Sequence, residues 1–209
     1  MKKLLKEKLK FEQAELKDWD NIEYLYIEAF PENERQTCET IKQRLENNKL
    51  KLFVVRHEQT IFGFALAWEL LSLKTYYIEY FAVNKEYRNN GIGEYILKSF
   101  KEYVGDKKLI VEIEDPAIDK TDIDKVRRFD FYKRNDFVLV PTLHYEMPSL
   151  EVESESIPMF LLCYSKNKET LTKEFQEEFV KFLYLTVYQK NKNNIYLQKI
   201  LKSIKHDIN

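Results

Sequence analysis

Apolar positions along the chain change their period several times, and each change marks an element. From Ile78 the run Ile-Glu-Tyr-Phe-Ala-Val is β-rich, and it breaks at Asn84. A basic and polar turn, Arg88-Asn89-Asn90, follows. Beyond it Ile92, Ile96, Leu97, Phe100, Tyr103 and Val104 recur at three- and four-residue steps. That spacing predicts a helix with one apolar face, and Gly105 stands where a C-terminal glycine belongs. Upstream, the even spacing of Leu5, Leu9 and Phe11 predicts a first strand within Leu4 to Glu15. Asp18 is placed to cap a helix through Ala29 that Pro31 ends. A second helix is expected from Thr37 to Asn47, with Ile41, Arg44 and Leu45 on one side. Leu50 to Arg56 and Ile61 to Glu69, joined by Glu58-Gln59-Thr60, read as an antiparallel hairpin, and Tyr76 to Val83 as the next strand.

The second half alternates again. Leu109 to Ile113 reads as a strand, Thr121 or Asp122 starts a charged helix ending near Asn135, and Phe137 to Val140 reads as a strand stopped by Pro141. His144 to Pro158 reads as a loop with acidic runs, and Met159 to Tyr164 as β-like. From Thr170, Leu171, Phe175, Phe179, Phe182, Leu183 and Val187 keep a helical period, and Ile195 to Ile204 repeats it. The expectation is a C-terminal helical pair whose apolar stripe packs on the domain or on a second subunit, which allows a homodimer.

Composition narrows the class. The 209 residues are 44% hydrophobic and 33% charged, as in a globular protein, with 14 Tyr and 14 Phe to fill a core. The 34 basic and 35 acidic residues are interspersed and leave a net charge of −1, so a nucleic-acid partner is not expected. Cys38 and Cys163 lie too far apart for a zinc knuckle or a disulfide framework, which fits a reduced, cytoplasmic setting without a metal. Met1 to Lys10 lacks the continuous apolar segment of a signal peptide. No apolar stretch approaches the ~20 residues that span a bilayer, so no membrane partner is expected.

Chemistry concentrates at the strand-to-helix turn. The first N–H groups of a helix have no partner within it, and the helix dipole adds partial positive charge there. Two of the four glycines, Gly91 and Gly93, stand at this turn, where they let a phosphate approach without a Cβ in the way. Arg88 adds a fork of donors suited to phosphate oxygens. A plain βα turn that needs glycine for its own dihedrals has the same pattern.

Two further stretches join this turn. The hairpin and strand lead into Arg88-Asn89-Asn90-Gly91-Ile92-Gly93, and Tyr132-Lys133-Arg134-Asn135-Asp136-Phe137 follows late in the chain. This order resembles the GNAT superfamily of acyl-CoA-dependent N-acetyltransferases. The family's Arg/Gln-x-x-Gly-x-Gly/Ala motif is matched by Arg88 to Gly93. Its Tyr-x-x-x-Gly-Phe motif is matched by Tyr132 and Phe137, with Asp136 where glycine is usual, which suggests an altered turn. Phe30-Pro31-Glu32-Asn33-Glu34-Arg35, Glu112-x-Glu114-Asp115-Pro116 and Tyr145-x-Met147-Pro148-Ser149-Leu150 are similar to a bacterial subgroup of the family.

The resemblance implies an α/β (α+β) fold. Its mixed, centrally splayed sheet would have about six to seven strands flanked by helices, forming an acetyltransferase domain over 1–165. Residues 166–209 would be a helical extension. It also implies acetyl-CoA as co-substrate, with its pyrophosphate on the N–H groups of Asn89, Asn90, Gly91, Ile92 and Gly93 beside Arg88. Pantetheine would pair with the backbone of Phe81, Ala82 and Val83, where a β-bulge is expected. Tyr132 takes the place of the family's general acid.

Glu79, on the strand before the turn, and Glu112 and Glu114, alternating on one face of the next strand, are candidate bases for a cationic amine. Each also suits an ordinary salt-bridged strand position. The loop carrying Glu32, Glu34 and Arg35 borders the acceptor site in this fold. The leading expectation is acetyl transfer to a primary amine. A silent acyl-CoA-binding module that regulates a partner through its C-terminal helices is the alternative.

Overall fold

Strand alternation and helical periodicity produce eight strands and six helices among the residues that the structure, a computed structural model, describes: 8–118, 121–140, 144–150 and 155–206. The predicted strand start at Leu4 and the acidic run at 151–154 lie outside them. Contacts divide the chain into two units, residues 1–109 and 110–209.

The first unit contains β1 (Lys10–Gln13), α1 (Glu23–Ala29), α2 (Cys38–Glu46), β2 (Lys51–His57), β3 (Thr60–Leu70), β4 (Thr75–Val83) and α3 (Ile92–Val104). β1 to β4 are successive antiparallel neighbours, so the predicted hairpin is present. The helix expected from Asp18 begins later. Leu16–Asn21 is a 3₁₀ turn, and the Asp18 carboxylate closes it by accepting from the Glu15 N–H at 3.0 Å. Arg56 of β2 pairs with the same carboxylate at 3.0 Å, which anchors the turn to the sheet. The helix expected from Thr37 is present, with Thr37 as its cap, the hydroxyl accepting from the Thr40 N–H at 3.1 Å.

Of the predicted face of α3, Ile92, Ile96, Leu97, Phe100 and Val104 are buried, whereas Tyr103 is exposed at its edge. Phe100 lies among Phe11, Phe53, Tyr76 and Tyr103 with ring centroids 4.6 to 6.2 Å away. Burial of such a ring stabilises by about 1.5–3 kcal/mol. Two devices hold the start of the helix against the sheet. The Tyr95 hydroxyl donates to the Leu9 carbonyl at 2.7 Å. Gly63 on β3 leaves room for Ile96: an added Cβ would stand 2.9 Å from the Ile96 Cδ1 and 2.7 Å from the Ala82 carbonyl oxygen.

The second unit begins within β5 (Lys108–Glu114) and continues through α4 (Ile123–Arg134), β6 (Val138–Leu139), β7 (Tyr145–Pro148), β8 (Ser156–Tyr164), α5 (Lys173–Phe182) and α6 (Ile195–His206). β8 organises it. It pairs antiparallel with β7 over Ser156–Met159 and with β6 over Leu162–Cys163, and β5 is its further neighbour. The short β7 lies inside the stretch expected to be loop. Tyr145 and Met147 alternate inward among polar neighbours, too briefly to stand out as a pattern. Together with the two-residue β6, it brings the strand total above the expected six to seven.

Thr172, rather than Thr170, caps α5. A π turn, Leu183–Val187, follows, and α6 then packs on α5 and β7, so the C-terminal stripe covers its own unit. Among the described residues no helix is long and apolar enough to cross a membrane.

Gly63→Ala should lower stability by about 1–3 kcal/mol, because the neighbour most crowded by the new methyl is backbone. Urea unfolding measures this, and an unchanged midpoint would mean that α3 is not held by close approach at this glycine.

Candidate functional site

The turn between β4 and α3 is shaped by its own polar groups. Asn84 caps a short turn, Lys85–Tyr87, by accepting from the Glu86 N–H at 3.1 Å. The Arg88 Nε donates back to the Val83 carbonyl at 3.1 Å. Asn90 Nδ2 donates to the Tyr87 and Arg88 carbonyls at 3.2 and 3.1 Å. The backbone then reverses through two left-handed residues, Asn89 with φ 61° and Gly91 with φ 75°. Gly91 occupies the N-cap position, where it supplies no side-chain acceptor. The Tyr95 N–H begins the helical ladder on the Gly91 carbonyl at 3.1 Å. The N–H groups of Ile92, Gly93 and Glu94 therefore have neither a helical partner nor a side-chain cap. Arg88 is exposed beside them. Free N–H groups at a helix start suit an anionic group.

Phe81, Ala82 and Val83 keep regular register with Ala65, Phe64 and Gly63 of β3. The bulge expected among them lies earlier. Tyr80 pairs with Leu66 and Ile78 with Ala67, so Glu79 is the extra residue. Its side chain is 4% exposed and accepts from Arg44 Nη1 at 3.1 Å and from Trp68 Nε1 at 2.6 Å. The Arg44 guanidinium also lies 5.3 Å from the centre of the Trp68 ring. Burial pushes the Glu79 carboxyl above its usual range, and the Arg44 charge opposes that rise.

Next along β4, the Tyr80 hydroxyl accepts from the Gln36 N–H at 2.9 Å. Tyr26 of α1 donates its hydroxyl to the Gln36 carbonyl at 2.8 Å. Two adjacent residues of β4 thus reach the Pro31–Gln36 loop and the helix after it. Within that loop Glu32 and Glu34 are exposed and Arg35 is half-buried.

In the second unit Glu112 and Glu114 are half-buried on β5, and their partners differ. Glu114 is bound by two cations of α4, Lys125 at 2.8 Å and Arg128 at 3.3 Å. Glu112 Oε2 accepts from the Tyr188 hydroxyl at 2.6 Å. Tyr132 is buried at 6% exposure, and burial holds its hydroxyl well above the ordinary tyrosine range, hence protonated.

The residue standing where glycine is usual explains itself. Asp136 has φ 60°, the left-handed conformation a helix-ending glycine supplies. The Phe137 N–H donates to the Tyr132 carbonyl at 3.1 Å and the Asp136 N–H to the Lys133 carbonyl at 3.1 Å, a Schellman ending of α4. The Tyr132 and Phe137 rings meet at 5.3 Å, the hydrophobic contact that accompanies such an ending. The turn is kept rather than altered, because an Asp tolerates this conformation better than most side chains do.

Four residues absent from the sequence-derived site now have places: Arg44, Trp68, Tyr80 and Tyr188. Arg44 carried a usable signal, an arginine on the apolar side of a helix, which is stable there only with a buried partner. His57 lies on β2 and lines an open depression with Asp18 and Arg56, and His144 is exposed.

A family model described as Acetyltransferase (GNAT) family matches residues 15–134. Among solved structures, a GNAT-family protein from Bacteroides thetaiotaomicron superposes with a TM-score of 0.73 at 24% identity, covering 87% of this chain and 99% of its own. Arabidopsis thaliana NAA60 in complex with acetyl-CoA gives 0.54 at 16% identity over 76% of this chain and 99% of its own. A spermidine N-acetyltransferase chimera of Vibrio cholerae SpeG and hSSAT gives 0.57 at 12% identity over 77% and 97%. At these identities the superpositions speak for the fold. The search of curated proteins found no match.

Two outcomes are expected. Arg44→Met should cost about 3–5 kcal/mol at neutral pH by leaving a buried carboxylate unpaired. The folded-state pKa of Glu79 then rises further above its unfolded value. The protonated form is the one favoured, so stability is greatest below the unfolded pKa and is lost as pH rises through the folded one. Urea unfolding should show a smaller penalty at pH 5 than at pH 8, and Arg44→Met with Glu79→Leu should recover most of it; a pH-independent penalty would remove Glu79 as the cause. Separately, Asp136→Gly should raise stability by about 0.5–1 kcal/mol and Asp136→Val should lower it by about 1–2 kcal/mol. Thermal unfolding reads both, and the opposite order would contradict the left-handed ending.

Proposed function

The chain belongs to the acetyltransferase (GNAT) family, and on that premise we propose that it transfers an acetyl group from acetyl-CoA directly to a primary amine. The observation that carries the reading is the helix start at Ile92, uncapped and entered through left-handed Gly91, with Arg88 exposed beside it. Its N–H groups would take the pyrophosphate, and the Phe81–Val83 backbone would take pantetheine. In this reading the catalytic domain spans 1–165 with a helical extension over 166–209, and the enzyme works in the cytosol.

Transfer requires an uncharged amine, a polarised thioester oxygen and a proton for the departing thiolate. A backbone N–H of β4 suits the oxygen. Tyr132 is our candidate for the proton donor, supported by a hydroxyl that burial keeps protonated. The candidate bases are Glu79, which Arg44 and Trp68 engage, Glu114, which two cations engage, and Glu112, which accepts from Tyr188. A carboxylate base suits a cationic acceptor. The Vibrio cholerae neighbour is named for spermidine, a cationic amine.

Incubation with acetyl-CoA and a panel of primary amines should release free thiol; tight CoA binding without turnover of any amine would favour the silent module. Arg88→Ala with Gly91→Val should abolish CoA binding in calorimetry, and unchanged affinity would remove the turn from the site. Tyr132→Phe should lower kcat by about a hundredfold with CoA affinity kept; full activity would exclude the tyrosine as the acid.

A further inference from the structure

One side chain joins the end of β4 to the turn that follows it. Asn84 donates its N–H to the Phe62 carbonyl at 2.9 Å, which closes the ladder between β3 and β4. Bonded and open pairs alternate in an antiparallel ladder, so in the neighbouring Gly63–Val83 pair the backbone groups of Val83 point away from β3. That is the side on which a peptide-like arm can pair with β4. The Val83 carbonyl is nevertheless engaged, because the Arg88 Nε donates to it at 3.1 Å. Arg88 is exposed, and its two Nη groups have no partner among the described residues. Lys85, the other cation of the turn, is held by Glu28 of α1 at 2.5 Å. Arg88 is thus the cation of this turn with donors to offer, and the uncapped start of α3 follows it at Ile92.

We propose that Arg88 is a gate on the donor side of the site. In the free protein it occupies the Val83 carbonyl, and the diphosphate of CoA draws it off, so that thioesters bearing a diphosphate are favoured over those of pantetheine alone. This rests on the reading of the turn as the pyrophosphate site and of Phe81–Val83 as the partner of pantetheine. The diphosphate wins the competition for the guanidinium. A bond to an exposed neutral carbonyl contributes modestly, whereas anionic oxygens meet the fork with charge-assisted, bidentate bonds. Once the guanidinium has turned, the Val83 carbonyl is open to an amide N–H of pantetheine, a bond of the kind that adds a strand to a sheet edge. A thioester without phosphates leaves the guanidinium in place and must compete with it. Specificity of this kind comes from an obstacle as well as an attraction.

The gate needs no movement of the backbone. Asn84 holds the Glu86 N–H, and Asn90 holds the Tyr87 and Arg88 carbonyls, so the turn keeps its shape when the guanidinium leaves. The coupling is also reciprocal. Whatever the diphosphate contributes by opening the Val83 carbonyl, an arm seated on that carbonyl returns to the diphosphate. Two pieces of the donor, inorganic pyrophosphate and S-acetylpantetheine, should therefore bind more tightly together than apart without a covalent link between them.

The test is calorimetric titration of wild type and Arg88→Met with CoA, and with S-acetylpantetheine alone and under saturating inorganic pyrophosphate. In wild type, pyrophosphate should tighten S-acetylpantetheine about fivefold, the factor expected of one hydrogen bond gained. Arg88→Met removes the obstacle. S-acetylpantetheine alone should then bind about fivefold tighter than to wild type, pyrophosphate should add nothing, and CoA should bind more weakly for want of the guanidinium. In wild type the ¹H–¹⁵Nε signal of Arg88 should move on addition of pyrophosphate alone, which reads the same event without a variant. S-acetylpantetheine that binds Arg88→Met no better than wild type, or an Arg88 signal unmoved by saturating pyrophosphate, overturns the gate and leaves the acetyltransferase reading standing. Wild type that binds neither CoA nor pyrophosphate overturns the reading of the turn, and the gate with it.

Discussion

The structure depends on how the chain leaves β4 and enters α3. A helix start needs acceptors for its first N–H groups, and the usual solution is a Ser, Thr, Asp or Asn side chain folded over them. Thr37 does this for α2, Asp122 for α4 and Thr172 for α5. At α3 the cap position is Gly91, which has no side chain to give, and φ 75° makes it a poor place for any other residue. The first turn of that helix therefore has no side-chain cap over its donors, which is what the proposed pyrophosphate site requires. Everything near it serves to hold this uncapped end still: the Tyr95 bond to Leu9, the close approach at Gly63, the Arg88 bond to Val83 and the aromatic cluster around Phe100.

Buried charge follows a different logic in each unit. Glu79 occupies the extra position of a β-bulge, and its desolvation is offset by a guanidinium and an indole N–H. Removing either side of such a pair is costlier than never having had it. The pair joins α2 to β4, while the neighbouring Tyr80 grips Gln36, so the loop between α1 and α2 is fixed at its far end by two successive residues of one strand. On β5 the carboxylates meet different partners, two cations for Glu114 and the Tyr188 phenol for Glu112.

Helical periods were readable because long apolar faces repeat. The faces of α3 and the C-terminal pair stood out in the pattern, and so did the hairpin of β2 and β3. Short elements were not. β7 has only two inward residues, and β6 is two residues long, so neither rises above the polar background. The start of α1 was misjudged because Asp18 suits a helix cap and equally an ion pair with Arg56, a residue that comes near only in the fold. At the site, the glycines, Arg88 and Tyr132 were legible as a motif. The departure at Asp136 was legible too, but its harmlessness was not, since a φ value is not written in a residue name. Arg44, Trp68 and Tyr188 matter through partners 35, 11 and 76 residues away, and no local pattern carries such distances.

The central claim is that the uncapped start of α3 is an anion cradle for CoA. A ¹H–¹⁵N NMR titration with CoA tests it residue by residue. The account predicts saturable shifts largest at the amides of Asn89 to Glu94, with downfield movement at Ile92 and Gly93 as they gain acceptors. Saturable binding that leaves those amides unmoved would contradict it.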